Sequence, residues 1–261
     1  MVAASKMRKA QQLAIDVRPF VRLLYRIQRV ATTHAHDFTH PLLEVRPVRT
    51  RAVILVAADK GLCGALNSNV FCAAAPYDAA STLFITAGRK AAQFVAQTRR
   101  RLVAEFAYGD TPQFAESRAI AALARDLFLS GQVDAVDVIA SRFINTLTQQ
   151  VLTLPFLPIG DITGVQIPGL PPPDSGTPPV DFLFEPDAAD IVSYTIGHYL
   201  NVFIHAVLLN AKASEQSARM VSMQKATDSA AEMIWSLKLE YNKLRQGRIT
   251  RELLEISGGA A

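Results

Sequence analysis

Cysteine is scarce: the chain of 261 residues holds Cys63 and Cys72 and no other thiol. Two cysteines build no disulfide framework, and their spacing fits no zinc-ligand pattern. Both are expected to sit reduced in or near the core, as in a reducing compartment. No apolar run approaches the roughly 20 residues that a bilayer-crossing helix needs. The nearest candidates, residues 202–209 and 151–159, are short and broken by His205, or by Pro155 and Pro158. Membrane association is therefore expected only through partners. The opening residues lack the pattern of a signal or transit peptide. Neither G-x-x-x-x-G-K-S/T nor G-x-G-x-x-G occurs, which removes two signatures of a phosphate-cradling loop. Proline is missing after Pro186.

That missing proline shapes the last third of the chain. From 187 to 257 only Gly197 and Gly247 interrupt good helix formers. At 1.5 Å per residue an unbroken helix there would be roughly 100 Å long. Such a helix is too long to be buried along its length in one small domain, so part of it must project. Met220, Met223, Thr227, Ala230, Ile234, Leu237, Tyr241 and Leu244 follow the alternating three- and four-residue steps of a coiled-coil seam. Beyond Leu244 the seam slips to Ile249, Leu253 and Ile256, a stutter that relaxes supercoiling. Ala218, Ala226, Ala230 and Ala231 are small enough to let a partner helix approach closely.

A second seam opens the chain. Ala3, Met7, Ala10, Ala14, Val17, Val21 and Leu24 repeat the same steps, making this segment a natural mate for the C-terminal helix. Pro19 should kink it. Lys6, Arg8 and Lys9 line the outside of the seam. The net charge is +4, but from Met1 to Arg51 ten Lys or Arg face three acidic residues. A basic opening suits an acidic partner or, more plainly, a solvated helix face.

Between the two helical arms the pattern is α/β. Residues 52–57 form a continuous apolar run, the mark of a strand covered on both faces. Strands are then expected at 82–86, 101–106 and 135–140 and an edge strand at 145–154, with helices at 89–97 and 112–130. The alternation implies a mostly parallel sheet with helices on both faces. Residues 159–186 are rich in proline and glycine and close this region. The division expected is 1–50 (N-terminal shaft helix and connector), 51–186 (α/β domain) and 187–261 (C-terminal shaft helix).

Three features invite a chemical reading. The turn at Gly61 and Gly64, with Asp59, Lys60 and Asn67 nearby, follows a strand and precedes a helix, the geometry that cradles phosphate. Without a matching motif it reads better as a tight scaffold turn. His34, His36, Asp37 and His40 include zinc-ligand types, but on a polar connector with nothing to fix a ligand set. Arg99, Arg100 and Arg101 lack interleaved aromatics for base stacking, so they read as a solvated helix end and nucleic acid is not expected.

The wording of both ends is specific. Ala213-Ser214-Glu215-Gln216, Ala218-Arg219-Met220, Ala226-Thr227-Asp228, Tyr241-Asn242-Lys243, Arg245-Gln246, Ile249-Thr250, Glu252-Leu253 and Glu255-Ile256 resemble the C-terminal helix of the gamma subunit of the rotary F-type ATP synthase. The opening decapeptide and Gly61-Leu62-Cys63-Gly64 resemble that family too. Ala65 stands where the family commonly has glycine. Several helical turns that normally precede the decapeptide are missing here, so the resemblance implies either a shortened N-terminal shaft or a start placed upstream.

The fold it implies is an antiparallel coiled coil of the two terminal helices bracketing a mostly parallel-sheet, Rossmann-like domain. The role it implies is a central-stalk rotor subunit, itself non-catalytic and without a cofactor. Its partners would be the alpha and beta subunits, the epsilon subunit and the membrane c-ring, on the cytoplasmic side of a bacterial inner membrane. Arg245, Gln246 and Thr250 match family positions that contact the beta subunit, and Lys6, Arg8 and Lys9 would face its acidic loops. The competing reading is an α/β phosphate- or nucleotide-binding enzyme with a helical dimerisation arm.

Overall fold

The computed structural model describes residues 5–17, 19–20, 40–159 and 188–258. They resolve into a compact unit, Met1–Met220, and a second, Val221–Ala261.

The first unit is built on one five-stranded sheet. Its strands are β1 (Arg51–Val56), β2 (Thr82–Ala87), β3 (Arg101–Phe106), β4 (Ala135–Phe143) and β5 (Gln149–Leu157), in spatial order β3-β2-β1-β4-β5. All neighbours run parallel except β4 and β5. The helices are α1 (residues 5–17, with 19–20 also helical), α2 (Leu66–Ala74), α3 (Arg89–Gln97), α4 (Phe114–Leu129) and α5 (Ala188–Gly258).

The apolar run of β1 is explained by its neighbours. Ala52, Ile54 and Val56 point into a core shared with α4 and α5, while Val53, Leu55 and Ala57 point into a second core under α2 and α3. With successive side chains on opposite faces, a strand covered on both sides must be apolar at every step. β4 runs on to Phe143, and β5 is displaced to 149–157 relative to the expected edge strand. Asn145 explains the shift: its side-chain oxygen accepts from the amides of Leu147 and Thr148, holding these residues as a turn. Pro155 is tolerated in β5 because it is an edge strand.

α5 is one helix of 71 residues, about 105 Å at the usual rise. Every side chain from 206 to 217 is buried, polar ones included. A helix buried all round must be wrapped by other elements. Its apolar side meets the sheet and α4. Leu209 and Ala213 meet Ala10 and Ala14 of α1. As α1 advances from Gln11 to Phe20, its contacts on α5 fall from Ser217 to His198, so the two helices run antiparallel.

In the second unit, α5 continues with every described side chain from 224 to 257 exposed.

The thiols divide: Cys63 is buried and Cys72 is exposed, so the expectation that both sit near the core holds for the first only. Arg100 is not a solvated helix end. Its guanidinium donates to the carbonyls of Ala74, Ala75 and Tyr77 and lies over the rings of Phe84 and Phe94. It thereby satisfies the free carbonyls at the end of α2.

Candidate functional site

The seam residues fall into two environments. In the first unit Ala10 is buried and Met7 half-buried, and Met220 on α5 is half-buried; Ala3 lies outside the described residues. In the second unit Met223 is half-buried and Ala230, Ile234, Leu237, Tyr241 and Leu244 are exposed. Met233, Trp235, Leu239 and Leu254 are exposed as well, off the heptad seam. Periodicity missed them because they belong to the flanks of one repeat, yet they widen the apolar surface of this helix well beyond a two-stranded seam.

Arg245, Gln246 and Thr250 are exposed, with the Thr250 hydroxyl donating to the Gln246 carbonyl at 2.9 Å. Arg8 and Lys9 are exposed, whereas Lys6 pairs with Asp110 at 2.6 Å. That pairing holds the Asp110 carboxyl below its usual range, chiefly through the hydrogen bond from Lys6.

The glycine turn acts through its carbonyls. Gly64 takes a positive φ of 60° and Gly61 does not; Leu62 does instead, at 61°. The carbonyls of Lys60 and Gly61 accept from the Arg219 guanidinium at 3.3 and 3.4 Å. Asp59 Oδ1 accepts from the Arg89 amide at the start of α3, and Asn67 Oδ1 accepts from the Ala58 amide. The side chains of Asp59 and Asn67, which an enzyme reading would need here, are thus spent on holding the turn, while Lys60 is exposed. Of the histidine group, residues 34, 36 and 37 lie outside the described residues, and His40 Nδ1 accepts from the Leu42 amide.

A buried ionic cluster, unsuspected from the sequence, lies beside this turn. Lys212 is 2% exposed and Glu215 3%, yet their side chains meet at 3.0 Å. Lys212 also lies 3.8 Å from Asp59 and from Asp110. Arg219 donates to Glu215 at 2.7 Å and to Gln216 at 3.3 Å. Below Lys212 the Tyr108 ring supplies a cation–π face at 4.8 Å, and its hydroxyl donates to the Ala57 carbonyl. Burial pushes the Tyr108 hydroxyl well above its ordinary range, so it stays protonated. The contributing residues are far apart in sequence, and on α5 they share one face at steps of three and four. That spacing was the available signal.

In a doubly wound sheet ligands bind outside the carboxyl ends of the parallel strands. Here the loops leaving β1 and β3 carry Asp59 and Asp110 at those ends, and the side chains of α5 meet them there. Among the described residues no group of three or more His, Cys, Asp or Glu side chains is disposed to hold a metal ion.

A family model described as ATP synthase matches residues 1–261. The ATP synthase gamma chain of Opitutus terrae is 40% identical over 267 residues, covering 98% of this chain and 89% of that one. The ATP synthase gamma chain of Methylacidiphilum infernorum is 36% identical, again over 98% of this chain and 89% of its own length. Among solved structures, a chain of the central stalk and c-ring of the Tetrahymena thermophila mitochondrial ATP synthase superposes with a TM-score of 0.66. It is 20% identical, and the match covers 87% of this chain and 96% of that one. A chain of the Euglena gracilis mitochondrial enzyme gives 0.60 at 15% identity, covering 98% and 92%. At those identities the likeness is one of fold.

Proposed function

The chain belongs to the ATP synthase gamma-chain family, and from that premise we propose that it is the non-catalytic rotor shaft of a rotary F-type enzyme. The observation that carries the reading is the outer part of α5, where Ile234, Trp235, Leu237, Tyr241, Leu244 and Leu253 are all exposed on one helix. A large apolar surface on a helix asks for a protein environment. A ring of alternating alpha and beta subunits around the helix supplies one.

In this reading residues 1–50 and 187–261 are the shaft and 51–186 the domain that meets the epsilon subunit and the c-ring. ATP chemistry takes place between alpha and beta. An asymmetric axle presents a different face to each catalytic site, so binding and release alternate by population shift. Arg245, Gln246 and Thr250 are the side chains assigned to the beta subunit, joined by Arg8 and Lys9 of α1. Lys6 is assigned there too, although its bond to Asp110 must then be shared or exchanged. No described helix is long and apolar enough to cross a membrane. Attachment to the cytoplasmic face of a bacterial inner membrane would run through the c-ring.

The test uses the exposed thiol of Cys72. The chain is assembled with alpha and beta subunits, the ring is fixed to a surface, and a bead is tethered to Cys72. ATP should drive rotation in one direction. Failure to assemble, or hydrolysis without rotation, refutes the reading.

A further inference from the structure

We propose that Lys212, Glu215 and Arg219 form a torque clasp, locking the rotation of α5 about its own axis to the sheet domain through Asp59, Asp110 and the Lys60–Gly61 backbone. The inference rests on the rotor reading and adds to it where the twisting load enters the shaft.

The apolar packing around this part of α5 is poorly suited to carry that load alone. Where α1 meets α5 the facing residues are mostly small, Ala10 and Ala14 against Ala213 and Leu209, with Phe143, Leu13 and Val17 beside them, and smooth small surfaces resist separation better than they resist sliding, because the hydrophobic effect has no direction. Hydrogen bonds do have direction: they weaken steeply once the donor swings off line. Arg219 makes three such bonds to the turn, from Nε to the Gly61 carbonyl and from Nη2 to the Lys60 and Gly61 carbonyls. The guanidinium acts at the rim of a helix whose radius with side chains is about 5–6 Å, where a force has its greatest leverage.

The cluster also has the layout of a clasp. Lys212 bridges the loop after β1, through Asp59, to the loop after β3, through Asp110. Asp110 in turn holds Lys6 of α1, and Gln216 donates to the same carboxylate. Both shaft helices and two loops at the ends of parallel strands therefore meet in one ionic knot. Lys6, Lys212 and Arg219 balance Asp59, Asp110 and Glu215, so the knot is neutral. Arg219 is the last charged side chain of α5 before Met220, where the first compact unit ends.

Stability alone explains this arrangement badly. A buried ion pair is often replaced by apolar residues of similar size with no loss of stability. Its distinct contribution is to permit one register and resist others. The test exploits that difference in the complete enzyme reconstituted in vesicles, comparing ATP hydrolysis with ATP-driven ion pumping. A Lys212→Met/Glu215→Leu double variant removes one charge of each sign and fills the space. With Arg219 still held by the Lys60 and Gly61 carbonyls, it should melt below the wild type yet stay folded at the assay temperature, and it should hydrolyse ATP at a similar rate while ions pumped per ATP fall several-fold. Arg219→Gln should show the same loss, and Arg219→Lys, which keeps the charge without the fork, an intermediate one.

A stable double variant that pumps as well as wild type overturns the clasp, as does a loss of hydrolysis and pumping in equal proportion. Either result leaves the rotor reading standing if the wild-type chain pumps in the same vesicles; a wild-type chain that neither assembles nor pumps removes both.

Discussion

The phenol of Tyr77 donates a 2.8 Å hydrogen bond to Asp137, a carboxylate 6% exposed in the interior of β4. Arg51 at the start of β1 pairs with the same oxygen. One buried charge thus ties β4 to its neighbour in the sheet and to the segment after α2. Truncating Asp137→Ala leaves Arg51 without its partner and opens a hole, which should cost about 3 kcal/mol in urea unfolding. Tyr77→Phe removes one hydrogen bond and should cost about 1 kcal/mol.

The same contact gives a pH signature. Burial, then the bond to Asp137, raises the Tyr77 pKa above its ordinary value. A raised folded-state value means the contribution is intact below the unfolded pKa, near about 10, and is lost as pH climbs above it. Wild-type stability should fall on that alkaline limb, and Tyr77→Phe should flatten the fall.

Gly88, rather than Gly61, is a glycine that the fold cannot replace. Its φ is +96°, and a Cβ there would stand 2.1 Å from the Ala57 carbonyl oxygen, which is backbone and cannot step aside. Gly88→Ala should cost about 3 kcal/mol or more, combining a strained backbone with a clash. Gly61→Ala meets nothing within 4 Å and has no positive φ, so its melting temperature should match wild type. Thermal melts of the two variants side by side check the contrast.

That contrast marks what the sequence makes legible. The buried strands announce themselves, because residues 52–56 must be apolar on both faces. The length of α5 follows from a proline-free run of good helix formers with a persistent apolar repeat. Gly61 drew notice by standing in a recognisable string, whereas the need for glycine at 88 arises from the approach of Ala57, a neighbour 31 positions away. Arg100 and Lys212 were hidden for a related reason. A charged side chain in a helical repeat looks solvated until the elements that surround it are known. From Lys212 to Ser217 every residue but Ala213 is polar yet buried, since α5 there is enclosed on every side.

His205 makes an acid-sensitive point in the same helix. Its Nδ1 lies 3.0 Å from the Ser117 hydroxyl and its ring packs on Phe114. Burial lowers its pKa, with the nearby Glu116 opposing. A depressed histidine favours the neutral ring in the fold, so its contribution is present above the unfolded value of about 6.5 and is lost as pH falls through the folded one. His205→Gln keeps a hydrogen-bonding group without the titration. It should weaken the loss of stability between neutrality and mild acid, as read from denaturant midpoints at successive pH values.

Leu237→Pro tests the shaft where it is least entangled with folding. Leu237 lies inside α5 with its side chain more than half exposed, so its change leaves the core of the sheet domain untouched. Proline there removes an amide donor and crowds the preceding turn, costing about 3 kcal/mol locally and bending the axis. Leu237→Ala is the necessary companion, since it removes the same apolar contact and keeps the helix straight. If the helix works as a stiff axle, the proline variant should lose ATP-driven ion pumping in the assembled enzyme while the alanine variant keeps most of it. Equal losses in both would mean that Leu237 matters for its side-chain contact alone. Unchanged pumping in the proline variant would mean that torque does not travel along this part of α5.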